Sequence, residues 1–210
     1  MAKAVLFDLD GTLADTAPDL AAALNRLRSD QGLAPLSLGQ VRPFASAGAR
    51  GLLHAGFGVK PGDGEYNALR EAFLEFYRER PCVETRLFPG IAELLQELSR
   101  RSIAWGVVTN KATRFTERIL SGLGLTPACV VCGDSTPHLK PHAAPMLLAA
   151  EQLALPAKDC LYLGDDLRDI QAARSASMRA VAVEWGYGAG LHSWNADAVI
   201  ARPGDLIEWL

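Results

Sequence analysis

The chain has 210 residues, which at about 150 residues per domain points to one full domain and a smaller companion. With 49% hydrophobic and 21% charged residues, 19 Gly and 12 Pro, it sits near the globular average, which excludes disordered and fibrous chains. The formal charge of −3 offers no diffuse basic field for nucleic-acid backbones or anionic lipid, so any phosphate must be gripped locally.

In chain order, Ala4 to Phe7 reads as a short buried strand, interrupted by Asp8 before a signal-peptide core could form. No apolar run approaches the roughly 18 residues of a membrane span. The expectation is a cytoplasmic protein with no nucleic-acid and no membrane partner. Leu20, Leu24 and Leu27 then mark a helix, a turn follows around Gly32 to Pro35, and Ser37 suits the N-cap of the next helix. Tyr66, Leu69, Phe73, Phe76 and Tyr77 form another apolar helical stripe. A helix from Pro89 to Arg101 carries Ile91, Leu94, Leu95 and Leu98 on one face.

From there, strands and helices alternate. Strands are expected at Ile103 to Thr109, Cys129 to Cys132, Cys160 to Gly164 and Arg179 to Glu184. Between them lie the helical stripe Phe115, Ile119 and Leu123, closed by Gly124, then Ala143 to Leu155, then Asp169 to Ala176. Continuous apolar strands separated by helices predict an α/β fold, a Rossmann-like doubly wound parallel sheet. The interval of about 95 residues between the first strand and Ile103 far exceeds one crossover, so something is inserted. The predicted division is a core of residues 1–15 and 85–210 and a helical insert of residues 16–84.

Cys129 and Cys132 match C-x-x-C, but a strand sends residues three apart to opposite faces, and no second pair completes a zinc site. These two are expected to be reduced strand cysteines, and four cysteines are too few for a disulfide scaffold at this length. His54, His138, His142 and His192 lack a metal-ligand spacing and are expected in surface or local hydrogen-bonding roles.

In open α/β sheets, ligands bind beyond the carboxyl ends of the strands. There the chain places Asp8-Leu9-Asp10-Gly11-Thr12, Thr109-Asn110-Lys111, Lys140-Pro141 and Gly164-Asp165-Asp166-Leu167-Arg168-Asp169. Five gathered carboxylates need a compensating cation, and oxygen donors without clustered His or Cys favour Mg²⁺. If strand geometry persists, Asp8 and Asp10 face the same way, so one can attack phosphorus and the other can move a proton. Gly11 permits the backbone to depart sharply just after the two acids. Thr109 and Lys140 supply a hydroxyl and an ammonium for the phosphoryl oxygens. Arg50, in the small-residue loop Ser46 to Arg50, could read a substrate carboxylate bidentately or remain a solvated surface residue. Lys111 and Arg168 could help position phosphate or pair with the acids.

In that order on successive strand ends, these segments resemble the four motifs of the haloacid dehalogenase superfamily of phosphatases. The resemblance spans the chain and makes the helical insert a cap. It implies Asp8 as nucleophile and metal ligand, and Asp10 as acid/base that also offers its backbone carbonyl to Mg²⁺. It further implies Thr109, Asn110, Gly11 and Lys140 at the phosphoryl group, Asp165 as a metal ligand, and Asp169 as a ligand or a ligand's neighbour. Relatives vary at the position of Asp166. The stretches Phe7 to Thr16 and Gly106 to Lys111 look most like phosphoglycolate phosphatases, so 2-phosphoglycolate is the first expectation. Gly164 to Ile170, with Trp185-Gly186-Tyr187 and Trp194 to Asp197, also resembles N-acetylmuramate 6-phosphate phosphatases. Either way the implied partner is a small phosphorylated metabolite, and the enzyme a monomer or homodimer. Two other readings compete: a phosphosugar mutase, if water is kept from the aspartyl phosphate, and a phospho-accepting receiver module, which would be shorter and lack the insert.

Overall fold

A computed structural model describes residues 2–210. The first strand, β1 (Ala4–Phe7), is buried at every position. A two-residue strand, β2 (Ala14–Asp15), follows, and then four helices: α1 (Ala17–Asp30), α2 (Leu38–Val41), α3 (Gly48–Phe57) and α4 (Tyr66–Glu79). A 3₁₀ turn, Arg42–Ala47, joins α2 to α3. The chain returns through β3 (Arg86–Leu87) and alternates thereafter: α5 (Ile91–Arg100), β4 (Ala104–Val108), α6 (Thr113–Gly122), β5 (Cys129–Val131), α7 (Ala144–Gln152), β6 (Cys160–Gly164), α8 (Leu167–Ser175), β7 (Arg179–Val183) and β8 (Ala198–Ile200).

Six parallel strands form one sheet in the order β5-β4-β1-β6-β7-β8, with Ala4 opposite both Ala104 and Cys160. β1 lies where the strand order reverses, which is where an open α/β sheet leaves a crevice at its carboxyl edge. Both faces are covered, so successive side chains feed different cores. Val5, Phe7, Val107, Leu161 and Leu163 join the apolar cluster that continues into the insert helices through Leu13, Leu20 and Leu24. Ala4, Leu6, Val108, Cys160 and Tyr162 point the other way, toward Met146, Ala149, Ile170 and Ala173 of α7 and α8.

The insert helices pack on one another, α1 against α3 and α4. The two chain crossings between sheet and insert run side by side as the antiparallel pair of β2 and β3, Asp15 opposite Arg86. Sequence periodicity does not reveal this ribbon or β8, because two- and three-residue strands are too short to show a pattern. Ser37 forms the anticipated N-cap, sharing a capping box with Gln40. α5 begins at Ile91 rather than Pro89, since Gly90 turns the chain through a left-handed φ of 88° just before it. α7 stops at Gln152, two residues short of Ala154, which adopts a φ of 53°.

Candidate active site

β1 ends at Phe7, so the strand geometry that would align Asp8 and Asp10 does not persist. The chain instead folds into a tight turn in which Ala14 donates to the Leu9 carbonyl and Gly11 to the Ala14 carbonyl. Asp8 and Asp10 still line one cavity but take different partners. Lys140 Nζ lies 2.8 Å from Asp8 Oδ1, whereas Asp10 Oδ1 accepts from the Thr16 hydroxyl and lies 3.1 Å from Lys111 Nζ. Gly11 has a φ of 86°, and a Cβ there would collide with the Asp165 carboxylate. Only glycine permits both the turn and the approach of the acid.

β6 and α8 deliver the second group of acids. Asp165 is fully buried and accepts from Thr12 Oγ1 at 2.9 Å, the Tyr187 backbone N–H at 2.9 Å and Ser46 Oγ at 3.0 Å. Asp166 caps α8: its side chain accepts from the Arg168 backbone N–H, and Asp169 Oδ2 accepts from the Asp166 N–H in return. That box accounts for Asp166, whose carboxylate also takes the Arg168 guanidinium at two points of 2.8 Å each. Burial pushes the Asp166 carboxyl up, but the bonds from Arg168 together hold it below the usual range.

Lys140, 4% exposed, donates to Asp169 Oδ1 at 2.7 Å, Tyr162 Oη at 2.8 Å and the Val108 carbonyl at 3.0 Å. Burial alone would lower it, yet Asp169 and Asp8 outweigh burial and keep it charged. Asn110 sets that lysine's loop. Its carboxamide donates to the Lys140 carbonyl at 3.0 Å and accepts from the Lys140 N–H at 2.9 Å, so both ends of the side chain serve backbone. Thr109 is buried on the cavity wall, and its hydroxyl accepts from the Lys111 N–H. Lys111 reaches Tyr77 Oη of α4 at 3.3 Å; burial opposes its charge, but Asp10 and Tyr77 raise it above an ordinary lysine.

Asp8, Asp165 and Asp169 each offer an oxygen within 4.8 Å of one another. Lys140 faces two of them, and among the described residues no cation faces Asp165. The deficit shows in their protonation. Burial, only partly offset by Lys140 and augmented by Asp169 and Asp10, pushes Asp8 up to about 7. Burial together with Asp8 and Asp169 pushes Asp165 up to about 8. A hard divalent cation fits this buried, oxygen-only, under-compensated set.

The cavity above these groups measures about 510 Å³ and is closed on the insert side by Ser46 to Arg50, Tyr66, Arg70, Phe73 and Tyr77. Arg50 and Arg70 lie on this wall, are exposed, and form no ion pair among the described residues. Trp185, Tyr187 and Trp194 do not line the cavity. Trp185 Nε1 donates to the Thr12 carbonyl, and Tyr187 Oη accepts from the N–H groups of Thr16 and Ala17 at the start of α1. His138 and His142 stack at 4.2 Å outside it.

Sequence reasoning gives no site role to Arg70 or Tyr162, and it names Ser46 only as the start of the Arg50 loop and Tyr77 only in an apolar stripe. Only Tyr162 carries a signal, a tyrosine inside a central strand whose hydroxyl needs a buried partner. The others reach the site from elements far away in the chain, which no local pattern records.

A family model described as haloacid dehalogenase-like hydrolase matches residues 5–183. The chain is 41% identical over 216 residues to the N-acetylmuramic acid 6-phosphate phosphatase of Pseudomonas aeruginosa, covering 99% of this chain and 94% of that protein. It is 41% identical over 211 residues to the phosphoglycolate phosphatase of Xanthomonas campestris pv. campestris, covering 98% and 95%. Among solved structures, that of a predicted phosphoglycolate phosphatase from Haemophilus somnus aligns with a TM-score of 0.85 at 29% identity, over 99% of this chain and 97% of that one. CbbY from Rhodobacter sphaeroides, solved in complex with phosphate, aligns with a TM-score of 0.76 at 25% identity, over 98% and 96%.

Proposed function

The chain belongs to the haloacid dehalogenase-like hydrolases, and from that membership we propose a Mg²⁺-dependent phosphomonoesterase that works through an aspartyl phosphate on Asp8. The observation that carries the mechanism is the pairing of a buried, under-compensated acid cluster with Lys140 in one cavity. The carboxylates of Asp8, Asp165 and Asp169, with the backbone carbonyl of Asp10, would hold the cation. Bound there, Mg²⁺ would neutralise these acids and the phosphoryl oxygens.

Lys140 occupies Asp8 Oδ1 and leaves Oδ2 to attack phosphorus as the bond to the leaving oxygen breaks. Asp10, steadied by Thr16 and Lys111, gives its proton to the leaving alkoxide. It then takes a proton from the water that attacks the aspartyl phosphate, which releases inorganic phosphate and restores Asp8. Thr109 and Lys140 hold the phosphoryl oxygens, and residues 16–84 act as a cap that shields the intermediate and meets the leaving group.

Cavity size is what supports a choice between the substrates of the two kinds of relative. A volume of about 510 Å³ lies within the roughly 300–1,000 Å³ of sites for drug-sized ligands. A two-carbon phosphoacid, the first expectation from the motifs, would leave most of it to water. A hexosamine phosphate carrying N-acetyl and lactyl groups would fill it, with Arg50 and Arg70 free to meet the lactyl carboxylate. The substrate proposed is therefore N-acetylmuramate 6-phosphate or an ester of that size. Phosphate release from this ester and from 2-phosphoglycolate, each with Mg²⁺ and with chelator, tests the assignment. A kcat/KM at least about tenfold higher for the amino sugar is expected. The reverse preference would remove the substrate but keep the phosphatase, and chelator-insensitive release of both would overturn the metal site.

A further inference from the structure

Arg168 stands in the first turn of α8 with its guanidinium fixed on one side by Asp166, Nε to Oδ1 and Nη2 to Oδ2 at 2.8 Å each. Asp166 is itself clamped to the helix start by the Arg168 backbone N–H at 2.9 Å. The fork therefore has little freedom, and Nη2 makes one further bond, 2.8 Å to the carbonyl of Ser46 in the 3₁₀ turn of the insert. The hydroxyl of the same Ser46 donates to Asp165 Oδ2 at 3.0 Å. One residue of the insert is thus held, by main chain and by side chain, to the start of α8 and to the proposed metal ligand just before it. Two residues later Gly48 turns the chain through a φ of 58° into α3, so the cavity wall from Ala47 to Arg50 takes its position from Ser46. The beginning of the turn is held separately, by Arg42 on both oxygens of Asp15 at 3.0 and 2.8 Å.

We propose that Arg168 is a positioning residue that latches the Ser46 end of the insert turn onto the acid cluster and thereby sets the specificity wall of the cavity. A charged donor to a backbone carbonyl is a strong tie, and the planar fork lets one guanidinium serve Asp166 and the turn together. An ammonium lacks the planar fork that grips Asp166 at two points while reaching the turn. The contact is geometric, but its consequence for turnover rests on the phosphatase reading.

Backbone hydrogen exchange on the metal-free protein tests the latch apart from activity. In Arg168→Leu and in the charge-conserving Arg168→Lys, residues 46–50 are expected to exchange about tenfold faster than in the parent. Exchange in β6 should be unchanged, which shows that the core still folds. Steady-state kinetics on N-acetylmuramate 6-phosphate supply the second readout. KM should rise several-fold in both variants while kcat moves little, because the reacting groups stay in place. Unchanged exchange at residues 46–50 in both variants overturns the latch. A parent protein without phosphatase activity overturns the proposed function instead and leaves the exchange result to stand on its own.

Discussion

Around Asp8 the chemistry is set by charge balance among a few side chains. Asp8 and Asp10 share a cavity yet are held by different cations, Lys140 and Lys111, which suits one carboxylate to attack and the other to carry a proton. Asp8→Asn should abolish turnover, and Asp10→Asn should lower kcat by about 10²–10⁴-fold, with circular dichroism unchanged in both. Retained activity in Asp8→Asn, with deamidation excluded by mass spectrometry, contradicts the covalent route. Lys140→Met leaves Asp8 and Asp169 without their ammonium, a loss of roughly 3–5 kcal/mol for a broken buried pair. Because Asp8, already pushed up to about 7, escapes the penalty by taking a proton, urea unfolding should show a smaller loss near pH 5 than near pH 8. Gly11→Ala would drive a methyl group into Asp165 and impose a strained φ, costing about 1–3 kcal/mol and weakening Mg²⁺ binding, readable by calorimetric titration.

Elements meet at the ribbon of β2 and β3, and the bonds that fix it come from elsewhere in the chain. The Asp19 carboxylate in the first turn of α1 accepts from the N–H groups of Val83, Glu84 and Thr85 and from the Thr85 hydroxyl. Tyr187 Oη, from the segment after β7, accepts from the first N–H groups of α1 and donates to Asp15. These side chains satisfy donors at the helix start and at Thr85 that would otherwise be buried unpaired. Tyr187→Phe should cost about 1–3 kcal/mol and Asp19→Ala more, both measured as shifts of the urea midpoint. An unchanged midpoint in Asp19→Ala would mean that the crossing segment finds other partners. Local sequence identifies α1 from its leucine stripe, but nothing local says that its Asp19 is a buried acceptor rather than a solvated first-turn acid.

For the molecule as a whole, the acid cluster couples fold stability to pH and to metal. Asp8 at about 7 and Asp165 at about 8 lie above the ordinary carboxylate value, so the folded state binds protons more tightly than the unfolded chain does. Their favourable contribution is complete below the unfolded value and is lost as pH rises through 7 to 8. Metal-free protein should therefore melt lower near pH 8.5 than near pH 6. Mg²⁺ competes with those protons, so its effect on Tm should grow across the same interval. At about a hundred times its Kd the ion would add roughly 2.7 kcal/mol, or several degrees for a chain of this size. Equal Tm gains at both pH values would place the cation away from Asp8 and Asp165.

By itself the sequence determined the parallel sheet, the run of helices after its first strand, and the strand ends that carry Asp8, Thr109, Lys140 and Asp165. Those features obey short-range rules: apolar runs make buried strands, and polar residues just after them fall on the carboxyl edge of the sheet. The family resemblance was legible for the same reason, its motifs being contiguous. Tertiary structure alone decided that Asp10 pairs with Thr16 and Lys111 while Asp8 pairs with Lys140, that the Asn110 carboxamide serves the backbone of Lys140, and that Ser46 touches Asp165. It also decided the size of the cavity, which lies between two bodies of side chains from distant parts of the chain. Spacing along a sequence records periodicity within an element, whereas such contacts depend on how the elements pack, and packing is set by the shape of the whole core.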